Sequence, residues 1–278
     1  MRTKRCSPGL PMTDRIRPMR EPAASLSATP EKAAATVRRP VDRYGFLDAP
    51  EGRRLRGRRI AAALAAFAPL DMGAARILDI GCSAGVVTDE IAAKAALTIG
   101  IDVDAESIAY AVAVNRRARF AMASADRLPF ADRAFDAVVC NHVYEHVPDP
   151  RAVMREAHRV LREGGVCYFA GGHTLQLIEP HYRVPLLSWL PRAAASAILR
   201  RTAGEACYSE RFLPPWRMRE LFSPFATAEF ISPRMLRAPE RFEFQGLARW
   251  PTVSRPLLAA LSGLAARLAP TWIYLLRK

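Results

Sequence analysis

Alternating strands and helices predict a doubly wound α/β fold with a mostly parallel sheet. Two observations carry this. Short apolar runs at 76–80, 97–101 and 135–141 are separated by helix-forming stretches, and that alternation is the signature of parallel βαβ units. The first of these runs also ends in a glycine-rich turn, ILDIGCSAG, that opens the next helix.

The elements follow in order. Residues 1–42, rich in Pro, Ala, Ser and Arg without apolar periodicity, are expected to be a disordered basic tail. Met12 and Met19 are alternative starts, and no apolar stretch resembling a secretory signal is present there. Pro50–Phe67 is helical by its Ala, Leu and Arg content and stops before Pro69. Arg76–Ile80 is the first strand, Val86–Ala96 a helix and Leu97–Ile101 the second strand. Ser107–Arg117 is a helix and Ala118–Ala123 a weaker strand. Phe135–Asn141 is a buried strand, and Pro150–Leu161 a helix with proline in its first turn. Gly164 and Gly165 end that helix before the strand Val166–Ala170. A core over 43–172 is thus followed by a mainly helical insertion over the active site, 173–222, broken by five prolines. Residues 223–278 complete the sheet with strands at Thr227–Ile231 and Thr271–Leu276 and an amphipathic helix at Pro256–Leu268. Counting these strands gives a seven-stranded sheet.

Composition bounds the function. The chain has 278 residues, 50% of them hydrophobic, and a net charge of +14. The charge is uneven: residues 1–60 carry +9, residues 61–172 carry −3 and residues 173–278 carry +8. Basic flanks suit an anionic membrane surface, phosphate groups or nucleic acid. They also suit a merely solvated surface, since only four of the 41 basic residues are Lys. Five cysteines without a C-x-x-C pair read as reduced core residues rather than a zinc site. No metal cluster is expected. No run reaches the roughly 18 apolar residues of a spanning helix, which points to a cytoplasmic protein, at most peripheral at the inner membrane surface.

Chemistry concentrates in residues 77–88. Gly81 permits a sharp turn at positive φ, Gly85 permits close helix–strand packing, and the helix that follows offers unpaired N–H groups. The spacing G-C-S-A-G is not the dinucleotide fingerprint G-x-G-x-x-G. Asp102 ends the second strand, where a carboxylate suits two ribose hydroxyls. Asp126 then sits in an Asp-x-Leu-Pro-Phe loop, Phe135–Asp136 leads the next strand, and Leu-Arg-x-Gly-Gly precedes the strand after it. Together these residues resemble the class I S-adenosylmethionine-dependent methyltransferases, in particular the small-molecule group that includes the ubiquinone and menaquinone methyltransferases. The resemblance covers about Ile77 to Phe169, a third of the chain. It implies a Rossmann-like sheet and S-adenosyl-L-methionine as cofactor. It also implies that Asp79, Gly81, Cys82, Ser83 and Gly85 line the methionine part, with Ser83 standing where the family usually has Gly. Asp102 would hold the ribose, Val103 flank the adenine, and Asp126 accept from the adenine amino group, with Arg127 beside it. Asn141 and His142 would lie under the sulfonium.

A hydroxyl acceptor calls for a general base, most often His. His173 directly follows a strand, His181 opens the insertion, and His146 matches a Glu-His pair frequent in the family. All three are candidates, and His146 has the alternative role of bonding its own loop. The acceptor is expected to be a small molecule, a sugar or a lipid-linked glycan methylated at oxygen. The stretch IEPHYRVPLLSWLP resembles relatives encoded for modifying cell-surface sugars or lipid-linked glycans. The alternatives are a quinone-pathway C-methyltransferase, a nucleic-acid methyltransferase and a non-catalytic cofactor-binding module. Against nucleic acid stands NHVYEH at the end of the fourth strand, where such enzymes carry Asn-Pro-Pro-Tyr or Asp-Pro-Pro-Tyr.

Overall fold

The computed structural model describes residues 50–179, 182, 184–202, 208–244 and 255–278. The expected tail at 1–42 and His181 lie outside the described residues.

Helix α1 (Pro50–Phe67) precedes strand β1 (Arg76–Ile80), helix α2 (Val86–Ala92), strand β2 (Leu97–Asp102), helix α3 (Ala105–Val114) and strand β3 (Arg119–Met122). Strand β4 (Phe135–Asn141), helix α4 (Pro150–Val160) and strand β5 (Leu161–Gly171) follow. A 3₁₀ turn (Leu187–Trp189) and helices α5 (Arg192–Thr202) and α6 (Pro215–Leu221) occupy the next segment. Strand β6 (Thr227–Phe230), helices α7 (Ser232–Leu236) and α8 (Arg255–Leu268) and strand β7 (Trp272–Arg277) close the chain.

The seven strands form one sheet in the order β3-β2-β1-β4-β5-β7-β6. The pairs from β3 to β5 are parallel, and β7 runs antiparallel to both β5 and β6. The expected Rossmann-like, mostly parallel seven-stranded sheet is therefore the observed one. The chain reverses direction across the sheet between β1 and β4, and open α/β sheets bind ligands outside the carboxyl ends of strands at such a switch point.

Period-two alternation divides the core. Val138 and Cys140 of β4 face one side with Val153, Met154 and Ala157 of α4. Ala137 and Val139 face the other with Ile60, Ala63 and Leu64 of α1. Both layers are fully enclosed, as a doubly wound parallel sheet requires. Cys82, Cys140 and Cys167 are buried free thiols.

Several boundaries differ from the sequence expectation for local reasons. Helix α2 stops at Ala92 because Lys94 N–H bonds the Ile91 carbonyl, tightening the last turn just before β2 begins. Helix α3 starts earlier because Asp104 caps it, accepting from Glu106 N–H at 3.2 Å, and it ends at Asn115. Helix α4 ends at Val160, so Gly164 and Gly165 lie inside β5 rather than at a helix end. Gly164 takes φ +71°, and the β4–β5 register shifts between Phe135 and Ala137. Between β5 and β6 the described residues hold α5, α6, the 3₁₀ turn and a bridge between Ile178 and Pro185. Pro185 and Pro191 lack an N–H donor and restrict the residues before them.

Candidate active site

The β1–α2 turn is built from left-handed residues: Gly81 at φ +75°, Ser83 at +47° and Gly85 at +77°. A Cβ on Gly81 would stand 2.5 Å from Val143 Cγ2, so glycine is required there by space as well as by φ. Gly81 and Cys82 N–H groups both bond the Ile101 carbonyl. Ser83 N–H donates to Asp102 Oδ2 at 2.8 Å, while Asp102 Oδ1 accepts from Asp104 N–H at 3.0 Å. The turn is thereby tied to the end of β2, and each Asp102 oxygen keeps a further lone pair.

A cavity of about 500 Å³ opens beside this turn, in the size range of small-molecule sites. Asp79, Gly81, Cys82, Ser83, Asn141, His142 and His146 all line it. Arg53, Arg56 and Arg59 of α1 form another wall, and Ala269, Pro270 and Thr271 before β7 a third.

Asp79 is buried, and Thr88 Oγ1 donates to its Oδ2 at 2.6 Å. Burial pushes its carboxyl up to about 7, against the Thr88 hydrogen bond, with the Asp102 charge adding to the rise. A cation in the cavity would restore its charged form.

His142 takes φ +56°, a conformation His tolerates better than most residues. Its N–H donates to the Ala170 carbonyl of β5 at 2.8 Å, holding the ring at the sheet edge. Nδ1 lies 2.9 Å from Glu145 Oε1 and Nε2 lies 3.2 Å from Thr271 Oγ1. Glu145 is completely enclosed, and Oε2 has no partner. Burial raises the Glu145 carboxyl, but the His142 hydrogen bond and the nearby His142 and His146 charges outweigh it and hold it below the ordinary value. A buried carboxylate facing Nδ1 fixes the tautomer with Nδ1–H toward Glu145, leaving Nε2 as the basic nitrogen.

The structure gathers some of the expected site residues and separates others. Gly85, Asp102, Val103, Asp126 and Arg127 do not line this cavity. Asp102 ends β2 and Val103 follows it, and Ala123 N–H bonds the Asp102 carbonyl, which places the Asp126 loop next to them. Val103 is exposed there, and Asp126 accepts from Ser124 Oγ at 2.5 Å. His146 is exposed at the cavity. His173 is fully buried instead: its ring stacks 4.1 Å from Trp272, Nε2 pairs with the Ala269 carbonyl at 2.9 Å and Nδ1 has no partner. Burial lowers its pKa, against the Ala269 bond. Its place directly after β5 suggested a site residue, but β7 closes over it. The arginine wall and the His142–Glu145 pairing were missed in the sequence. An i, i+3 His-Glu spacing and Arg every third residue were the available signals.

Residues 78–169 match the methyltransferase domain model. Among curated relatives, the ubiquinone biosynthesis O-methyltransferase of Pseudomonas putida is 31% identical over 131 residues, 42% of this chain and 54% of that protein. The Pseudomonas aeruginosa enzyme of the same name is 35% identical over 103 residues, 34% of this chain and 43% of that protein. The chain thus spans about half the length of the curated relatives it matches. A solved S-adenosylmethionine-dependent methyltransferase from Mesorhizobium loti superposes with TM-score 0.51 at 19% identity, covering 83% of this chain and 99% of that one, which is a likeness of fold. The sheet order is that of the Rossmann-like fold shared with that structure, and the matched segment marks residues 78–169 as similar to a methyltransferase domain, which implies S-adenosylmethionine as cofactor.

Proposed function

We propose that the chain is an S-adenosylmethionine-dependent methyltransferase that methylates an oxygen of a small-molecule or lipid-linked acceptor. The observation that carries this is the cavity shared by the glycine turn, buried Asp79 and the His142–Glu145 pair. Bound there, S-adenosylmethionine supplies an electrophilic methyl group. The chain's own residues do the rest. Asp79 faces the methionine ammonium, Gly81 to Gly85 shape the backbone around the methionine part, and Asp102 takes the ribose. Val103, Asp126 and Arg127 flank the adenine, and Asn141 lies under the reacting centre.

His142 is the best-placed base, its Nε2 open to the cavity through the Thr271 hydroxyl. His146 is the second candidate, and His181 remains a third from sequence alone. His173, sealed under Trp272, serves packing in this reading. A histidine placed to take a hydroxyl proton supports O- over C-methylation, and the ubiquinone O-methyltransferases act at oxygen by name.

The segment after β5 exposes Leu175, Leu177, Ile178, Leu186, Trp189 and Leu190 within sixteen residues. Arg192, Arg200 and Arg201 follow in α5. An apolar patch beside arginines fits an anionic membrane surface, and peripheral contact there would bring a lipid-linked acceptor to the cavity. No helix among the described residues is long and apolar enough to cross a membrane.

Incubation with methyl-labelled S-adenosylmethionine and separated lipid, small-molecule, polysaccharide, RNA and protein fractions tests the function. Label is expected in the lipid or small-molecule fraction. Label confined to RNA or protein would refute the acceptor class.

A further inference from the structure

Helix α8 reverses the usual amphipathic order. It buries Ser262 and Ala266 completely and exposes Leu261, Leu264 and Leu268 at 48%, 59% and 47%. At about 100° per residue the three leucines fall within roughly 60° of one another, so they form one stripe. A hydrogen bond fixes this orientation: Arg237, just after α7, donates from Nε to Ser262 Oγ at 3.0 Å. A helix on the surface of a globular protein normally packs its leucines inward and leaves serine and alanine outside.

The stripe does not stop with the helix. His173 Nε2 pairs with the Ala269 carbonyl at 2.9 Å, which joins the end of α8 to the start of the segment after β5. Leu268 stands one residue before Ala269, and Leu175 two residues after His173; both are exposed. Trp189 is tied to the same stretch, its Nε1 donating to the Gln176 carbonyl at 3.0 Å. Ser188 Oγ likewise donates to the Thr174 carbonyl at 3.3 Å. The α8 leucines therefore adjoin the apolar patch around Leu175 and Trp189, although almost a hundred residues separate them in sequence. Ala269, Pro270 and Thr271 come next and line the cavity, so the combined surface ends at the cavity rim.

Charge selects the occupant. Residues 173–278 carry +8 with every carboxylate counted. Arg267, in the last turn of α8 beside the stripe, is exposed. Leucines flanked by arginine suit the plane of an anionic bilayer, with the leucines among acyl chains and the guanidinium at the headgroups. A second copy of this chain would bring the same positive charge to the same face.

We propose that α8 lies in the headgroup plane of an anionic membrane. Together with the segment after β5 it seats the cavity mouth on the bilayer, so that an acceptor with an apolar tail enters from the lipid. The inference rests on the peripheral contact proposed above and adds to it a second element from a distant part of the chain.

The test is flotation of the full chain with phosphatidylcholine vesicles, with and without phosphatidylglycerol, at physiological salt. Wild type is compared with L264S/L268S, with L186E/W189E and with Val112→Ser, which removes an apolar side chain of α3 that is also 59% exposed. Wild type and Val112→Ser should float with the anionic vesicles. L264S/L268S should bind them about tenfold or more weakly while keeping the wild-type unfolding midpoint. If L264S/L268S floats like wild type while L186E/W189E does not, the α8 assignment falls and the membrane contact stands. If wild type floats with neither vesicle, both fall. Equal flotation with neutral vesicles overturns the anionic partner. A wild-type dimer by light scattering that becomes monomeric in L264S/L268S assigns the stripe to a second copy and overturns the proposal.

Discussion

Replacing Asp79 by Asn should stabilise the ligand-free protein while disabling its cofactor site. Asp79 is buried and its carboxyl is pushed up to about 7 from 3.8, burial being the largest cause. The direction of the pH effect follows from the raised folded value. Between about pH 4 and pH 7 the unfolded chain has released this proton and the folded chain retains it, so this group's contribution falls as pH rises through that window. Above pH 7 the penalty is constant, and a shift of three units corresponds to on the order of 4 kcal/mol. Asn keeps an oxygen to accept the Thr88 hydroxyl at the position that is now 2.6 Å away, and it carries no charge. Denaturant unfolding of ligand-free Asp79→Asn against wild type should therefore show a gain of several kcal/mol at pH 8, fading toward none near pH 4. The same variant should bind S-adenosylhomocysteine about tenfold or more weakly, because the ammonium loses its carboxylate. A variant less stable than wild type at pH 8, or one that binds S-adenosylhomocysteine unchanged, would refute the reasoning.

Gly81→Ala forces a left-handed Ala and a Cβ 2.5 Å from Val143 Cγ2; a loss on the order of 3 kcal/mol in denaturant unfolding is expected, with loss of S-adenosylhomocysteine binding. With an acceptor in hand, His142→Ala should lower kcat by about a hundredfold or more, with cofactor affinity nearly intact. His173→Ala should instead cost about 2–4 kcal/mol of stability by opening space beside Trp272, leaving the turnover of folded protein unchanged. A steady-state assay beside an unfolding curve separates the two, and a large kcat loss in His173→Ala would reverse their assignment. Leu186→Glu with Trp189→Glu should abolish flotation with anionic liposomes at physiological salt; flotation equal to wild type would remove the membrane contact.

The region from β1 to β5 is legible in sequence because its signals are local. Strands β1 and β4 are short apolar runs buried on both faces, and the turns carry their own glycine or capping aspartate, as with Gly81 and Asp149. Even the positive φ of Gly81 follows from the spacing of its motif. Legibility fails where placement depends on distant chain. His173 follows β5 as a site residue would, yet Trp272 and the Ala269 carbonyl, almost a hundred residues later, enclose it. His142 reads as one of several histidines until Glu145 is seen behind its Nδ1 and Thr271 before its Nε2. The α1 arginines declare a helix by composition, but only the packing of Ile60, Ala63 and Leu64 against the sheet turns their face toward the cavity. Between Gly172 and Pro215 prolines interrupt the periodic runs and the acceptor cannot be read from spacing, whereas β6, α8 and β7 beyond them follow their local pattern.

Direct titration of S-adenosylhomocysteine into the full chain tests the central claim most simply. A methyltransferase domain with this turn predicts one saturable site with Kd about 1–100 µM, lost in Gly81→Ala and weakened in Asp79→Asn. Absence of binding by the folded wild type at millimolar ligand would contradict the account.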